Sequence, residues 1–260
     1  MHGPVFRVLG PLEATVNGCR VTVPAGKQRT LLATLLLGAN QVVSLDELTE
    51  RLWDDEPPRR PRGALHTYVT RLRQMLDRHG SGTGDLIHTS AAGYLIEVSD
   101  LDLTRFRRLV SEARTASERG DLASESDALT EGLALWRGPV LHDVRSDSLH
   151  RDVVPSLTEE HLRALDRRQE VDLALGRHAR LVGELRALTA RYPLHERFWR
   201  HLMLALHGCG RSAEALEAYG MASACLRDRL GVCPGPETRD LHTAILRGAP
   251  PMSARPERKV

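Results

Sequence analysis

Hydrophobic periodicity changes character near residue 100, and that change restricts the chain to a two-part architecture. Before it, short alternating runs at 5–9, 13–16, 20–23, 86–89 and 94–98 read as strands, separated by Gly10-Pro11, Asn17-Gly18 and Ser90-Ala91-Ala92-Gly93. Asn-Gly between alternating runs is a two-residue hairpin signal, because both turn positions need positive φ. After residue 100 strand signals vanish and apolar residues recur at helical spacing alone. A chain of 260 residues is long enough for two ordinary domains, each with its own core. The expected division is 1–98, 99–248 and a tail at 249–260, whose Pro250, Pro251, Pro256, Arg255, Arg258 and Lys259 have the composition of a disordered segment.

Three helices are expected between the early strands. The first, 27–39, carries Leu31, Leu32, Leu35 and Leu36 at helical spacing. The second opens on Ser44-Leu45-Asp46-Glu47, a capping box with Ser44 as N-cap and Glu47 reaching back, and buries Leu45, Leu48, Leu52 and Trp53. The third starts at Pro61 and sorts 62–78 onto two faces. Leu65, Val69, Leu72 and Leu76, flanked by Tyr68, form a core-facing stripe. Thr67, Thr70, Arg71, Gln74 and Arg78 lie opposite, with Arg73 and His66 at the edge. Such side chains can hydrogen-bond base edges and phosphates from within a major groove. Strands, three helices and a hairpin in this order are the layout of a winged helix-turn-helix, whose third helix enters the major groove while the hairpin touches the adjoining backbone or minor groove.

Charge is distributed in keeping with that layout. The whole chain is only +2, yet 58–80 holds Arg59, Arg60, Arg62, Arg71, Arg73 and Arg78 against Asp77 alone, a local +5.

The second half repeats a small pattern: Gly120-x-x-Ala123, Gly176-x-x-Ala179 and Gly210-x-x-Ala213, the last two glycines lying 34 residues apart. That is the tetratricopeptide period, in which a glycine turns between antiparallel helices and small alanines allow close packing. Trp136 and Tyr192 each fall 16 residues after their glycine, and Pro139 and Pro193 end the second helices. Phe106, Trp136, Tyr192, Phe198, Trp199 and Tyr219 are expected in the core, and Arg163, Arg167 and Arg168 on a solvated face.

Other chemistries fail on spacing. Gly26-Lys27 is no phosphate-binding loop, since Val21 stands at the first glycine's place and Gln28 where Ser or Thr should hold magnesium. Gly80-x-Gly82-x-x-Asp85 lacks the third glycine of a dinucleotide fingerprint. His195-Glu196 is followed by Trp199 where a zinc protease has its second histidine. With no nucleophile elbow either, no catalytic residue, cofactor or metal is expected, and the chain is read as no enzyme. Cys19, Cys209, Cys225 and Cys233 form no C-x-x-C pair and are expected as reduced, packed thiols. No run approaches the ~20 apolar residues of a spanning helix, so the expectation is a cytoplasmic protein, nucleoid-associated when bound, with no membrane partner.

At this point the residues meet a known family. FRVLGPLEA from Phe6, AGKQRTLLATLLLGANQVVSLDELTERLW from Ala25, LHTYVTRLRQML, GYLIEV, LALWRGPVL from Leu133 and LGVCPGPETRDLHTAIL from Leu230 resemble the Streptomyces antibiotic regulatory proteins over about 5–248. The resemblance implies a mainly α fold with small β elements, in which an OmpR-type winged helix-turn-helix precedes an all-α, tetratricopeptide-like activator domain. It also implies activation of biosynthetic gene clusters, side-by-side protomers or a homodimer on direct repeats of double-stranded promoter DNA, and recruitment of RNA polymerase holoenzyme through its sigma factor. Thr67, Thr70, Arg71 and Arg73 occupy the most family-like positions. On that basis Arg71 and Arg73 are the expected main cationic contacts, Thr67, Thr70 and Gln74 the shorter hydrogen-bonders, and Lys27, Arg29, Arg62 and Arg78 the phosphate contacts. Two departures stand out: a Ser90-Ala91-Ala92 wing tip where relatives often carry a basic or proline-rich one, and Cys233 where aspartate is common before Pro-Gly-Pro. The rival reading is a helical-repeat scaffold that docks protein and does not read DNA sequence.

Overall fold

The computed structural model describes residues 3–249; of the tail expected at 249–260, all but Ala249 lies outside that range. Packing divides the chain into two compact units, each assembled from two stretches of sequence. One takes the chain up to Ser111 together with Glu131–Leu162, the other Glu112–Thr130 and the chain from Arg163 onward. The fold class is the expected one, a winged helix-turn-helix with small sheets followed by paired helices.

Three strands open the first unit: β1 (Val5–Arg7), β2 (Glu13–Val16) and β3 (Cys19–Val21). They pair antiparallel in succession, Val16 opposite Cys19 across the Asn17-Gly18 turn. Those two residues take φ of 50° and 77°, the left-handed pair the hairpin needs. The leucine spacing of α1 (Lys27–Leu37) predicts one buried face, yet every residue from Thr30 to Leu36 is buried. α1 is therefore the central helix of this unit, and its hydroxyls are satisfied: Thr34 Oγ1 donates to Thr30 O at 2.9 Å and Thr30 Oγ1 to Arg145 O at 3.0 Å.

β4 (Val43–Ser44) leads into α2 (Leu45–Trp53), where Ser44 Oγ accepts from the Glu47 N–H at 3.1 Å. α3 (Pro61–Asp77) starts on a proline and turns Leu65, Val69, Leu72, Met75 and Leu76 inward, the expected stripe with Met75 added. After a 3-10 turn at Gly84–Leu86, β5 (Ile87–Thr89) and β6 (Gly93–Ile96) make the wing, in a sheet of order β4-β6-β5. Gly93 is obligatory there, because a Cβ would sit 1.9 Å from Val43 O. β7 (Asp100–Leu101) then runs parallel to β1.

The remaining helices are α4 (Asp102–Glu118), α5 (Leu122–Leu133), α6 (Asp147–Asp152), α7 (Val154–Ala174), α8 (His178–Arg191), α9 (Glu196–Gly208), α10 (Ser212–Leu230) and α11 (Pro236–Leu246). Within the first unit, Asp102 accepts from the N–H groups of Val8 and Leu9 at 2.8 and 3.0 Å. Burial pushes its pKa up, against the pull of those donors and of Arg137. Arg137 N–H donates to Leu9 O at 2.8 Å and Leu141 N–H to Gly10 O at 2.7 Å. Residues distant in sequence thus complete the backbone hydrogen bonding of the chain just after β1.

In the second unit the recurring glycines do what their spacing suggests. Gly120, Gly176 and Gly210 take φ of 72°, 72° and 75°. Each is followed by the same bond, Asp121 N–H to Ala116 O, Arg177 N–H to Asp172 O and Arg211 N–H to Leu206 O, at 3.0, 2.9 and 2.9 Å. These are helix ends closed by a left-handed glycine. The alanines are a correction: Ala123, Ala179 and Ala213 are exposed, and Glu125, Leu181 and Ala215, two positions on, are buried. Two residues rotate a helix by roughly 200°, so the alanine falls on the outer side of each first turn. The core is Leu181, Leu185, Leu202, Met203, Leu206, Ala215 and Ala222. Phe198 and Trp199 are buried, while Tyr219 packs against the cluster half-exposed.

Arg167 and Arg168 are a second correction, since neither lies on a solvated face. Arg167 Nε and Nη2 grip the Glu125 carboxylate at 2.6 and 3.1 Å, and Glu125 is 2 % exposed. Arg168 bonds Asp172 at 3.2 Å and also Glu184, and Asp172 further accepts from Ser126 Oγ at 2.7 Å and Arg177 at 2.8 Å. A buried carboxylate needs such partners. The thiols are all free, but Cys19, Cys209 and Cys233 are exposed, contrary to the expectation of packed cysteines, and only Cys225 is half-buried.

Candidate nucleic-acid interface

α3 lies with its leucine stripe in the core, so its opposite face is necessarily outward. Arg62, His66, Thr67, Arg71, Gln74 and Arg78 are exposed and Thr70 half-buried. Among the described residues Arg62, Arg71 and Arg78 enter no ion pair, so their charge is available to a ligand. Thr67 Oγ1 donates to Gly63 O at 3.0 Å and Thr70 Oγ1 to His66 O at 2.9 Å. Both hydroxyls thereby keep lone pairs and methyl groups for an outside partner, with the proton already placed. Arg59 and Arg60, exposed just before α3, add two cations that entered the sequence reading only as charge.

Three of the residues expected at the DNA have inward partners in the structure. Lys27 Nζ donates to Leu52 O at the end of α2, where a cation satisfies a terminal carbonyl and the helix dipole. Arg29 pairs with Asp143 and donates to Val23 O at 2.7 Å. Arg73, also half-buried, donates from Nε and Nη2 to Ile87 O at 3.0 and 2.6 Å, and from Nη2 to Thr89 Oγ1 at 2.9 Å. No sequence signal separates these cations from their exposed neighbours, because their acceptors are backbone carbonyls and a carboxylate far along the chain.

The wing closes through Ser90 N–H to Gly93 O at 2.8 Å and Gly93 N–H to Ser90 O at 3.3 Å, with Ala91 and Ala92 exposed at its tip. It offers backbone and hydroxyl groups with no charge at the tip. His88 on β5 and Glu97 just after β6 lie 3.4 Å apart.

Two family models match the sequence. One described as a bacterial transcriptional activator domain covers 101–246, and one described as the C-terminal part of transcriptional regulatory proteins covers 22–96. Regulatory protein DnrI of Streptomyces peucetius is 40% identical over 252 residues, which span 94% of this chain and 93% of DnrI. The chain belongs to the Streptomyces antibiotic regulatory protein family. Another relative, regulatory protein AfsR of Streptomyces coelicolor, is 40% identical over 251 residues, although these make up only 25% of AfsR. The solved structure of Mycobacterium tuberculosis EmbR, in complex with a low-affinity phosphopeptide, superposes with a TM-score of 0.89 at 33% identity over 96% of this chain and 67% of EmbR. As a Streptomyces antibiotic regulatory protein, the chain is a transcriptional regulator, with a DNA-binding winged helix ahead of an activator domain. No helix among the described residues is long and apolar enough to cross a membrane.

Proposed function

We propose that the chain is a cytoplasmic activator of a secondary-metabolite gene cluster that binds promoter DNA sequence-specifically and recruits RNA polymerase through its sigma factor. The observation that carries the proposal is the exposed α3 face, with its unpaired Arg62, Arg71 and Arg78 beside Thr67, Thr70 and Gln74. Arg71 and Gln74 reach base edges, the two threonines contact bases or phosphates at shorter range, and Arg62 and Arg78 neutralise phosphates at either end of the helix. Lys27 and Arg29 serve the fold in this reading.

One such helix reads too few base pairs for genomic specificity, so two protomers sit side by side on direct repeats with half-sites about one helical turn apart. Residues 1–98 contain the reading elements and 99–248 the activator region, with 131–162 supporting the chain after β1. A fragment ending at residue 98 lacks Asp102, Arg137 and Leu141 and is expected not to fold, whereas one ending at residue 162 keeps all three.

The test uses the duplex upstream of the protein's own gene and a scrambled duplex of equal length. Arg71→Ala should lose about 1–3 kcal/mol of preference for the upstream duplex. Arg62→Ala and Arg78→Ala should weaken both duplexes alike and flatten the log-log salt dependence by about 0.9 each. An Arg71→Ala protein with the wild-type affinity and footprint would overturn the assignment of α3.

A further inference from the structure

We propose that Arg73 and Asp77 form a clasp by which α3 fixes the wing, so that Arg73 is a positioning residue for DNA reading and not itself a DNA contact. The role rests on α3 being the recognition helix. Residues four apart share one flank of a helix, and here that flank holds the wing at two points. Arg73 takes the first strand through Ile87 O and Thr89 Oγ1, at 2.6 and 2.9 Å from Nη2. Asp77 Oδ1 takes the preceding turn through the Gly84 N–H at 2.7 Å. Gly84 makes the approach feasible, because a Cβ there would lie 2.6 Å from Asp77 Oδ2 and 2.7 Å from Arg73 O.

The clasp acts where the wing is otherwise open. β5 is the edge strand of its sheet, and an edge carbonyl has no strand to receive it. Arg73 supplies that donor to Ile87 O from Nε as well, at 3.0 Å. β5 carries β6 with it through the Ile87–Ile96 and Thr89–Tyr94 pairs, so holding β5 holds the tip at Ser90–Gly93. The planar guanidinium fork suits two acceptors on one strand, whereas a lysine ammonium is a single point charge. The charges differ as well: the clasp contains one cation and one anion, while the neighbouring reading face carries Arg62, Arg71 and Arg78 and no acidic residue. A tip without charge gains from being placed accurately, since hydroxyl and backbone donors act only over hydrogen-bond distances.

Arg73→Met keeps the length and apolar stem while removing the fork, and Thr89→Val removes one acceptor at constant shape. With both duplexes named above, Arg73→Met should bind several-fold more weakly with an unchanged log-log salt slope. Its hydroxyl-radical footprint should lose protection on the wing side and keep it under α3, and amide exchange across 87–96 in the free protein should quicken. A residue needed only for global stability would weaken both parts of the footprint equally. Thr89→Val should show a smaller form of the same changes, and the double variant should cost less than the two singles together.

A slope flattened by about 0.9 with wing exchange unchanged would put Arg73 on a phosphate and overturn the clasp. If Arg73→Met fails to fold, Thr89→Val carries the test, and wild-type exchange and footprint in that variant would overturn it. Arg71→Ala separates the two readings. If it too leaves binding untouched, the recognition-helix reading falls, while exchange across the wing still decides the clasp.

Discussion

α3 and α7 both present arginines, Arg71 on one with Arg78 at its C-terminal cap about two turns on, and Arg167 and Arg168 in adjacent positions on the other. On α3 they are exposed and enter no ion pair among the described residues; on α7 each is committed to a buried carboxylate, Glu125 or Asp172. Composition already differs: Asp77 is the one acidic residue of α3, whereas α7 carries Glu159, Glu160, Asp166, Glu170 and Asp172. The acceptors on α7 come from the helix itself and from a neighbour: Asp172 lies four residues after Arg168, and for Arg167 the acceptor Glu125 lies 42 residues away in sequence. A cation left without an internal partner on a helix whose other face is core has its charge available to a ligand. One held by a desolvated carboxylate belongs to the architecture, since the charge would be too costly to leave unpaired.

Removing a carboxylate from the α7 side should produce the largest effect. Asp172→Ala takes the buried carboxylate from Arg168 and Arg177, leaving Arg168 only Glu184, and leaves Ser126 without its acceptor, so urea unfolding should register a loss of about 3 kcal/mol. The turn beside that network gives a smaller change. Gly176→Ala meets no atom within 4 Å but must hold a φ of 72°, which should cost about 1–2 kcal/mol in the same assay.

The contrast extends to protons. His201 is buried, and burial first, then Arg200 and Arg197, lowers its pKa to about 3. Its Nδ1 lies 3.1 Å from Gln169 Oε1 and 3.8 Å from Asp166 Oδ1. The unfolded histidine titrates near 6.5, so between those values the unfolded chain holds the extra proton. Stability should be complete above pH 6.5 and fall as the pH drops, by up to about 1.4 kcal/mol per unit. Urea midpoints at pH 7 and pH 5 check this, and His201→Gln should flatten the difference. The smallest expected effect is on the α3 side, where Arg62→Ala and Arg78→Ala should each leave folding stability within about 0.5 kcal/mol. A larger loss there would mean that these arginines also serve the fold, and the comparison would fail.

Local signals were legible in the sequence. Asn17-Gly18, Ser44 with Glu47, the stripe from Leu65 to Leu76 and the three helix-ending glycines each act over a few residues, where backbone preference and periodicity decide. Long-range partnerships were not. That Leu9 and Gly10 would bond Arg137 and Leu141, that Arg29 would find Asp143 and that Arg73 would turn to Ile87 depends on the assembled fold. The alanines after each glycine repeat as a residue type without being packing positions, because helical geometry puts them outside. The outward face of α3 was read nearly whole, since it follows from the buried stripe on the other side.

Whether Arg71, unpaired on the outward face of α3, reads DNA is decided by titrating Arg71→Ala against the upstream and scrambled duplexes across a salt series. The preference for the upstream duplex should drop by about 1–3 kcal/mol while urea unfolding stays within about 0.5 kcal/mol of the wild-type protein. An Arg71→Ala protein that binds both duplexes as the wild type does, at every salt concentration, would contradict that role.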